Sequence, residues 1–189
     1  MSISLVFFII LFAALCHASW SAIVKKSRNS LAIMAFTSII EIIVFLPLVF
    51  FVPFPTVDIW YFLIATTILH GFYRYSVIAS YNYADLSFVY PIARGGSCFI
   101  IGVISLFLLS NNISFFGTIG ILVTCLGLFM ISFMSAKKFN QKGFLLAILT
   151  AVLIATYTII DGIGVRNTEN AFTYIFWMLL LNGIPMLIY

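Results

Sequence analysis

His17, Glu41, His70, Arg74 and Arg94 each lie inside a long apolar run of the sequence. An ionised group in hydrocarbon costs several kcal/mol, with estimates from ~3 kcal/mol upward, unless it faces protein or a water-filled cavity. The chemistry open to such groups is the binding and passage of a polar solute or a proton. His70 and Arg74 are four residues apart and share a helix face, with Tyr73 and Tyr81 nearby on it. Arg74 and Arg94 flank the turn at 82–85, which at 1.5 Å per residue sets both ~10–12 Å deep from one membrane face. Two cations at matched depth beside the lone carboxylate of Glu41 make a candidate binding centre. Arg94, with Arg74, would hold an anionic group, and Glu41 would carry a proton or a counter-charge. His17 and Tyr90 complete the set of candidate substrate-binding residues. The bland alternative is that the arginines snorkel to the interface or that Glu41 pairs structurally with one of them.

Two further patterns bear on this centre. Tyr90-Pro91 is followed by Arg94-Gly95-Gly96, a combination that removes a backbone donor and loosens the next turn. It predicts a broken helix whose freed amides line a cavity, because unwound backbone survives in a membrane only there. Gly117, Gly120, Thr124 and Gly127 fall on one smooth stripe and predict a face for close helix contact.

The elements that must position these groups follow from composition. Of 189 residues 64% are hydrophobic and only 7% charged, and the mean hydropathy is +1.23. A soluble domain carries about 25% charged residues, so this chain lacks the polar surface to cover a water-facing globule. Disorder, a soluble enzyme and a nucleic-acid module are excluded; the net charge of +4 is too thinly spread to bind nucleic acid. Cys16, Cys98 and Cys125 lie in apolar runs without metal-ligand spacing and read as small packing residues. No catalytic motif occurs, and no cofactor, metal or enzymatic activity is expected.

A helix needs roughly 20 apolar residues to cross ~30 Å of hydrocarbon. That measure predicts seven spans at about 2–24, 30–52, 59–81, 86–109, 115–136, 143–164 and 171–189, separated by short polar breaks. The expected fold is an all-α polytopic membrane helix bundle. An internal similarity subdivides it. With an offset of 137 residues, Ala14 meets Ala151, Ala18 meets Ala155 and Trp20 meets Tyr157, giving A-x-x-x-A-[ST]-[WY]-[ST] in spans 1 and 6. The repeat unit then holds five spans, and an odd number inverts the second unit in the membrane. Residues 1–136 form a first five-helix unit, and 143–189 begin a second, inverted and incomplete one. The last span runs to Tyr189 without closing charges, which reads as a truncated chain.

Basic residues set the orientation. Lys25, Lys26, Arg28, Lys137, Lys138 and Lys142 cluster in the 25–29 and 137–142 loops, against Arg166 alone on the other side. Those loops are expected in the cytoplasm, with the N-terminus outside.

The run Tyr83-Ala84-Asp85-Leu86-Ser87-Phe88-Val89-Tyr90-Pro91-Ile92-Ala93-Arg94-Gly95 resembles the span 3–4 signature of EamA-type transporters of the drug/metabolite transporter superfamily. His17-Ala18-Ser19-Trp20-Ser21-Ala22 resembles their first-helix pattern, and Asp161-Gly162 a pair common among them. The resemblance implies ten spans in two inverted five-helix repeats around a central cavity, with alternating access. It also implies a small-molecule solute as partner, and a second copy or three more helices to complete the bundle. Cys98 stands where the family often has Pro, and Ser110-Asn111 where it often has Gly-Glu.

The function expected is therefore transport of a small polar metabolite (amino-acid-like, organic anion or drug) by a multi-pass protein of the cell, or inner, membrane. The alternative is a non-transporting or inactive subunit of the same family.

Overall fold

A computed structural model describes residues 3–107, 114–135 and 139–188. It consists of eight α-helices: α1 (Ile3–Lys26), α2 (Ser30–Leu48), α3 (Val57–Tyr83), α4 (Leu86–Phe107), α5 (Phe115–Ser135), α6 (Gln141–Arg166), α7 (Ala171–Asn182) and α8 (Pro185–Ile188). A 3-10 turn at Val49–Phe51 extends α2, and no strand occurs among the described residues. Among the described residues seven helical segments are long and apolar enough to cross a membrane, the make-up of a multi-pass integral membrane protein. The expected ends at residues 2, 108–109, 136 and 189, with Lys137, Lys138, Ser110 and Asn111, lie outside the described residues.

The polar breaks end the helices by capping. Asn29 accepts a hydrogen bond from the Ala32 amide at 3.1 Å, Asn140 from Gly143 at 3.1 Å and Asn170 from Phe172 at 3.0 Å. At its C-terminus α3 meets a cation. Lys25 Nζ donates to the carbonyl of Tyr81 and, at 2.9 Å, to that of Ala84, satisfying orphan carbonyls at the negative end of the helix. A Cβ on Gly143 would lie 2.7 Å from Ala84 Cβ. The end of α1, the turn between α3 and α4 and the start of α6 therefore meet at one end of the bundle, and α1 and α6 run in opposite directions.

Helix α6 fills the centre, packed against α3 and α4, while α5 leans on α4 and α7 on α2 and α3. Ser76 of α3 and Thr150 of α6 share a hydrogen bond of 2.8 Å, and Ser132 of α5 donates to the Phe88 carbonyl of α4 at 2.5 Å. Such interhelical bonds contribute roughly 0.6 kcal/mol each, up to about 1.7 kcal/mol. Helix α1 is peripheral: 6% of its apolar window is buried, against 44% for α4.

Three expectations are corrected. Span 4 is not broken, for α4 runs unbroken through Pro91 and both glycines. Pro91, the sixth residue of α4, removes a single ladder bond, the one to the Ser87 carbonyl, and the helix continues through it. The glycines admit neighbours instead: a Cβ on Gly95 would sit 3.1 Å from Leu128 Cβ of α5, and one on Gly96 2.9 Å from Ala151 Cβ of α6. The stripe on span 5 is not the packing face, since nothing approaches within 4 Å of a Cβ at Gly120 or Gly127, and Thr124 is exposed. Buried Cys125 and Ser132 and the knob Leu128 make that contact, so the smooth surface belongs to α4. Span 7 is not continuous: α7 ends at Asn182, Gly183 and Ile184 form a turn, and Pro185 opens α8. Proline suits a first helical position and disfavours helix in the residue before it. Of the cysteines only Cys125 is buried, and Cys16 and Cys98 lie on the outer surface.

Candidate functional site

The interrupted span 7 borders a cavity that ionisable side chains line. Its volume is about 460 Å³, and α1, α2, α3, α6 and α7 surround it. Glu41, His70, Arg74 and His17 line it. Tyr90 and Arg94 do not. They line a crevice of about 10 Å³ that shares His17 and Tyr73 with the cavity.

Arg74 is spent on the protein. Its Nη1 donates to Ser38 Oγ at 2.5 Å and its Nη2 to Glu41 Oε2 at 2.6 Å. Ser38 stands on α2 three residues before Glu41, so one turn of α2 holds both acceptors for one guanidinium. Both members of the pair line the cavity, and the carboxylate is the more open of the two, its side chain 30% exposed against 9% for Arg74.

Arg94 has a separate partner. Its Nη2 donates to Nε2 of His17, and its guanidinium lies 5.7 Å from the ring centre of Tyr90. The two-arginine centre around Glu41 is therefore corrected to two separate pairings, Arg74 with Glu41 and Arg94 with His17. A crevice of about 10 Å³ holds about one water and no carboxylate, so Arg94 closes the wall behind His17 in this arrangement.

His70 is fixed by its own helix: Nδ1 lies 3.0 Å from the Thr66 carbonyl and 3.1 Å from Thr66 Oγ1. A carbonyl only accepts, so Nδ1 carries the proton, and in the neutral ring Nε2 is an acceptor. The ring stacks on Tyr157 of α6 at 4.0 Å between centres, and Tyr73 meets Tyr157 edge-on at 5.5 Å.

Residues outside the expected set complete the walls. Trp20 and Tyr157, equivalent in the internal similarity, both line the cavity. Ala14 and Ala18 are exposed whereas Ala151 and Ala155 are buried, so the small residues of the motif pack only in α6. Met178, Leu179 and Asn182 supply the last turn of α7. Asn182 is 2% exposed, and its Oδ1 is buried with no hydrogen-bond partner. A polar residue deep in an apolar span was its only signal in the sequence. Asp161, one turn after Tyr157 on α6, is not among the lining residues and accepts a 2.8 Å hydrogen bond from the Tyr174 hydroxyl. Among the described residues no group of three His, Cys, Asp or Glu could hold a metal ion.

The arrangement suits reversible binding of a small polar molecule between helices. Comparison with family models, with curated proteins and with solved structures finds no match for this chain.

Proposed function

We propose that the chain is an EamA-type carrier of the drug/metabolite transporter superfamily that moves a small polar solute across the cell membrane by alternating access. The observation that carries this reading is the cavity of about 460 Å³ among five helices, with the Glu41–Arg74 pair in its wall and the interrupted span 7 at its edge. Its volume falls in the ~300–1,000 Å³ range of small-molecule sites. Intramembrane ionisable groups mark solute paths, and interrupted spans border the sites of many carriers. The inverted five-helix repeat is part of the proposal. It is supported by the opposed directions of α1 and α6 and by the common exposure of Trp20 and Tyr157 to the cavity. The end carrying Lys25, Lys26, Arg28 and Lys142 faces the cytoplasm by its charge.

The test is reconstitution into liposomes and measurement of flux for amino acids, organic anions and cationic drugs. Saturable flux of one class, lost when both Glu41 and Arg74 are replaced by Gln, is the expected result. A folded protein that moves none of them is the non-transporting subunit of the alternative.

A further inference from the structure

The hydrogen-bonding state of the cavity wall says more about the solute. The cationic donor is engaged. Arg74 gives one N–H of each terminal nitrogen to Ser38 and Glu41, and Thr37 Oγ1 donates to the Met34 carbonyl at 2.8 Å. Acceptors are left over. Glu41 Oε1 has no partner among the described residues, while Oε2 carries the contact with Arg74. His70 points its bonded Nδ1 at its own helix and keeps Nε2 free to accept. Asn182 borders the cavity, and its Oδ1 lies just beneath that wall, buried and without a hydrogen-bond partner among the described residues. A buried acceptor without a partner is costly, and a ligand that brings a donor relieves it.

Two further features favour positive charge. The last turn of α7, with Met178, Leu179 and Asn182, is the negative end of a 12-residue helix, and it lines the cavity. Trp20, Tyr73 and Tyr157 present aromatic rings, whose faces attract cations. Arg94, the cation that an anionic solute would seek, is shut in the crevice behind His17.

Building on the transport reading, we infer that the cavity recognises a primary ammonium group, held by Glu41 and Asn182 between aromatic walls, and that a carboxylate on the solute is not required. An ammonium with three N–H donors matches the unspent acceptors in kind, and its charge pairs with the carboxylate that Arg74 satisfies on one oxygen only.

The experiment uses the whole chain in phosphatidylcholine nanodiscs and three probes that share an aromatic tail and differ at the head: phenethylamine, phenethyl alcohol and phenylpropionate. Calorimetric titration is expected to rank the amine first and the carboxylate last. Asn182→Leu keeps the side-chain size and removes an unpaired polar group, so it folds, and it should weaken amine binding about tenfold or more. Glu41→Gln alone strips Arg74 of its partner; the paired Glu41→Gln, Arg74→Gln variant removes both charges together and should abolish the preference for amine over alcohol. Carboxylate binding equal to or tighter than amine binding, unchanged amine affinity in Asn182→Leu, or binding of none of the probes would overturn the inference. Liposome flux separates this from the transport reading. An amine that binds and is not carried defeats transport and leaves the ammonium site standing. A carboxylate that is carried and blocked by the paired variant defeats the ammonium site and leaves transport standing.

Discussion

Arg94 of α4 donates to Nε2 of His17 on α1, so His17 is a neutral imidazole with its proton on Nδ1. This bond, with the guanidinium over Tyr90, ties the weakly packed α1 to the well-buried α4 beside the cavity. Lysine offers no planar group to lie on Tyr90 while it reaches the imidazole. Arg94→Lys is expected to lower liposome flux about tenfold or more, a change equivalent to about 1.4 kcal/mol, with normal yield in the membrane. Arg28→Lys, on an exposed loop, should be silent. Full flux through the Arg94→Lys protein would make the bond dispensable.

The Arg74–Glu41 pair is a stability element as well as a cavity wall. Removing one partner of a buried pair costs about 3–5 kcal/mol, and the 30% exposure of Glu41 brings the expectation for Arg74→Ala to about 3 kcal/mol or less. Replacing both residues by Gln should restore most of that loss. Thermal unfolding in detergent of the two single variants and the double variant measures the coupling directly; additive losses would mean that the pair does not act as a unit.

Glycines on α4 and α5 should respond oppositely. Gly96→Val would drive a side chain into Ala151, and overpacking of this kind costs about 1–3 kcal/mol. Gly120→Ala meets nothing within 4 Å and gains helix propensity, so it should be neutral or stabilising. Melting temperatures that fall for both would contradict the assignment of the smooth face to α4.

Sidedness is open to labelling. With Cys16, Cys98 and Cys125 replaced by Ala, single cysteines at Ser27 and Asn140 should resist an impermeant thiol reagent added to intact cells and react after the membrane is opened. Rapid reaction in intact cells would reverse the orientation.

The seven spans were legible because each apolar run ends in residues that cap or break helices, with Asn29, Asn140 and Asn170 as capping oxygens. The partnership of Glu41 with an arginine was legible from the cost of isolated charge in hydrocarbon. Which arginine it takes depends on the rotation of α2 against α3, and that is set by packing. Pro91 misled because the loss of one ladder bond does not by itself break a helix packed between α5 and α6, and Gly95 and Gly96 because glycine serves close approach as readily as unwinding. The interruption at Gly183-Ile184-Pro185 carries ordinary turn chemistry, but apolar residues on both sides hide it from a hydropathy measure. Asn182 and Trp20 become site residues only through the meeting of α1, α3 and α7, which spacing along one helix does not report.

The ion pair between α2 and α3 also constrains how the chain enters the membrane during synthesis. Glu41 and Arg74 would each cross the translocon as an isolated charge if the two helices were released singly, and a central charge penalises insertion by ~2.5–3.5 kcal/mol. Helix α3 has the lowest mean hydropathy of the seven spans, 1.2 against 2.4 for α2, and is least able to absorb that cost alone. The short 52–56 connection allows the two to leave as a hairpin with their charges already joined. Glycosylation mapping should accordingly find α3 inserting better behind α2 than alone, with Glu41→Ala removing the benefit. The residues that shape the cavity would thereby also set the order in which the bundle is assembled.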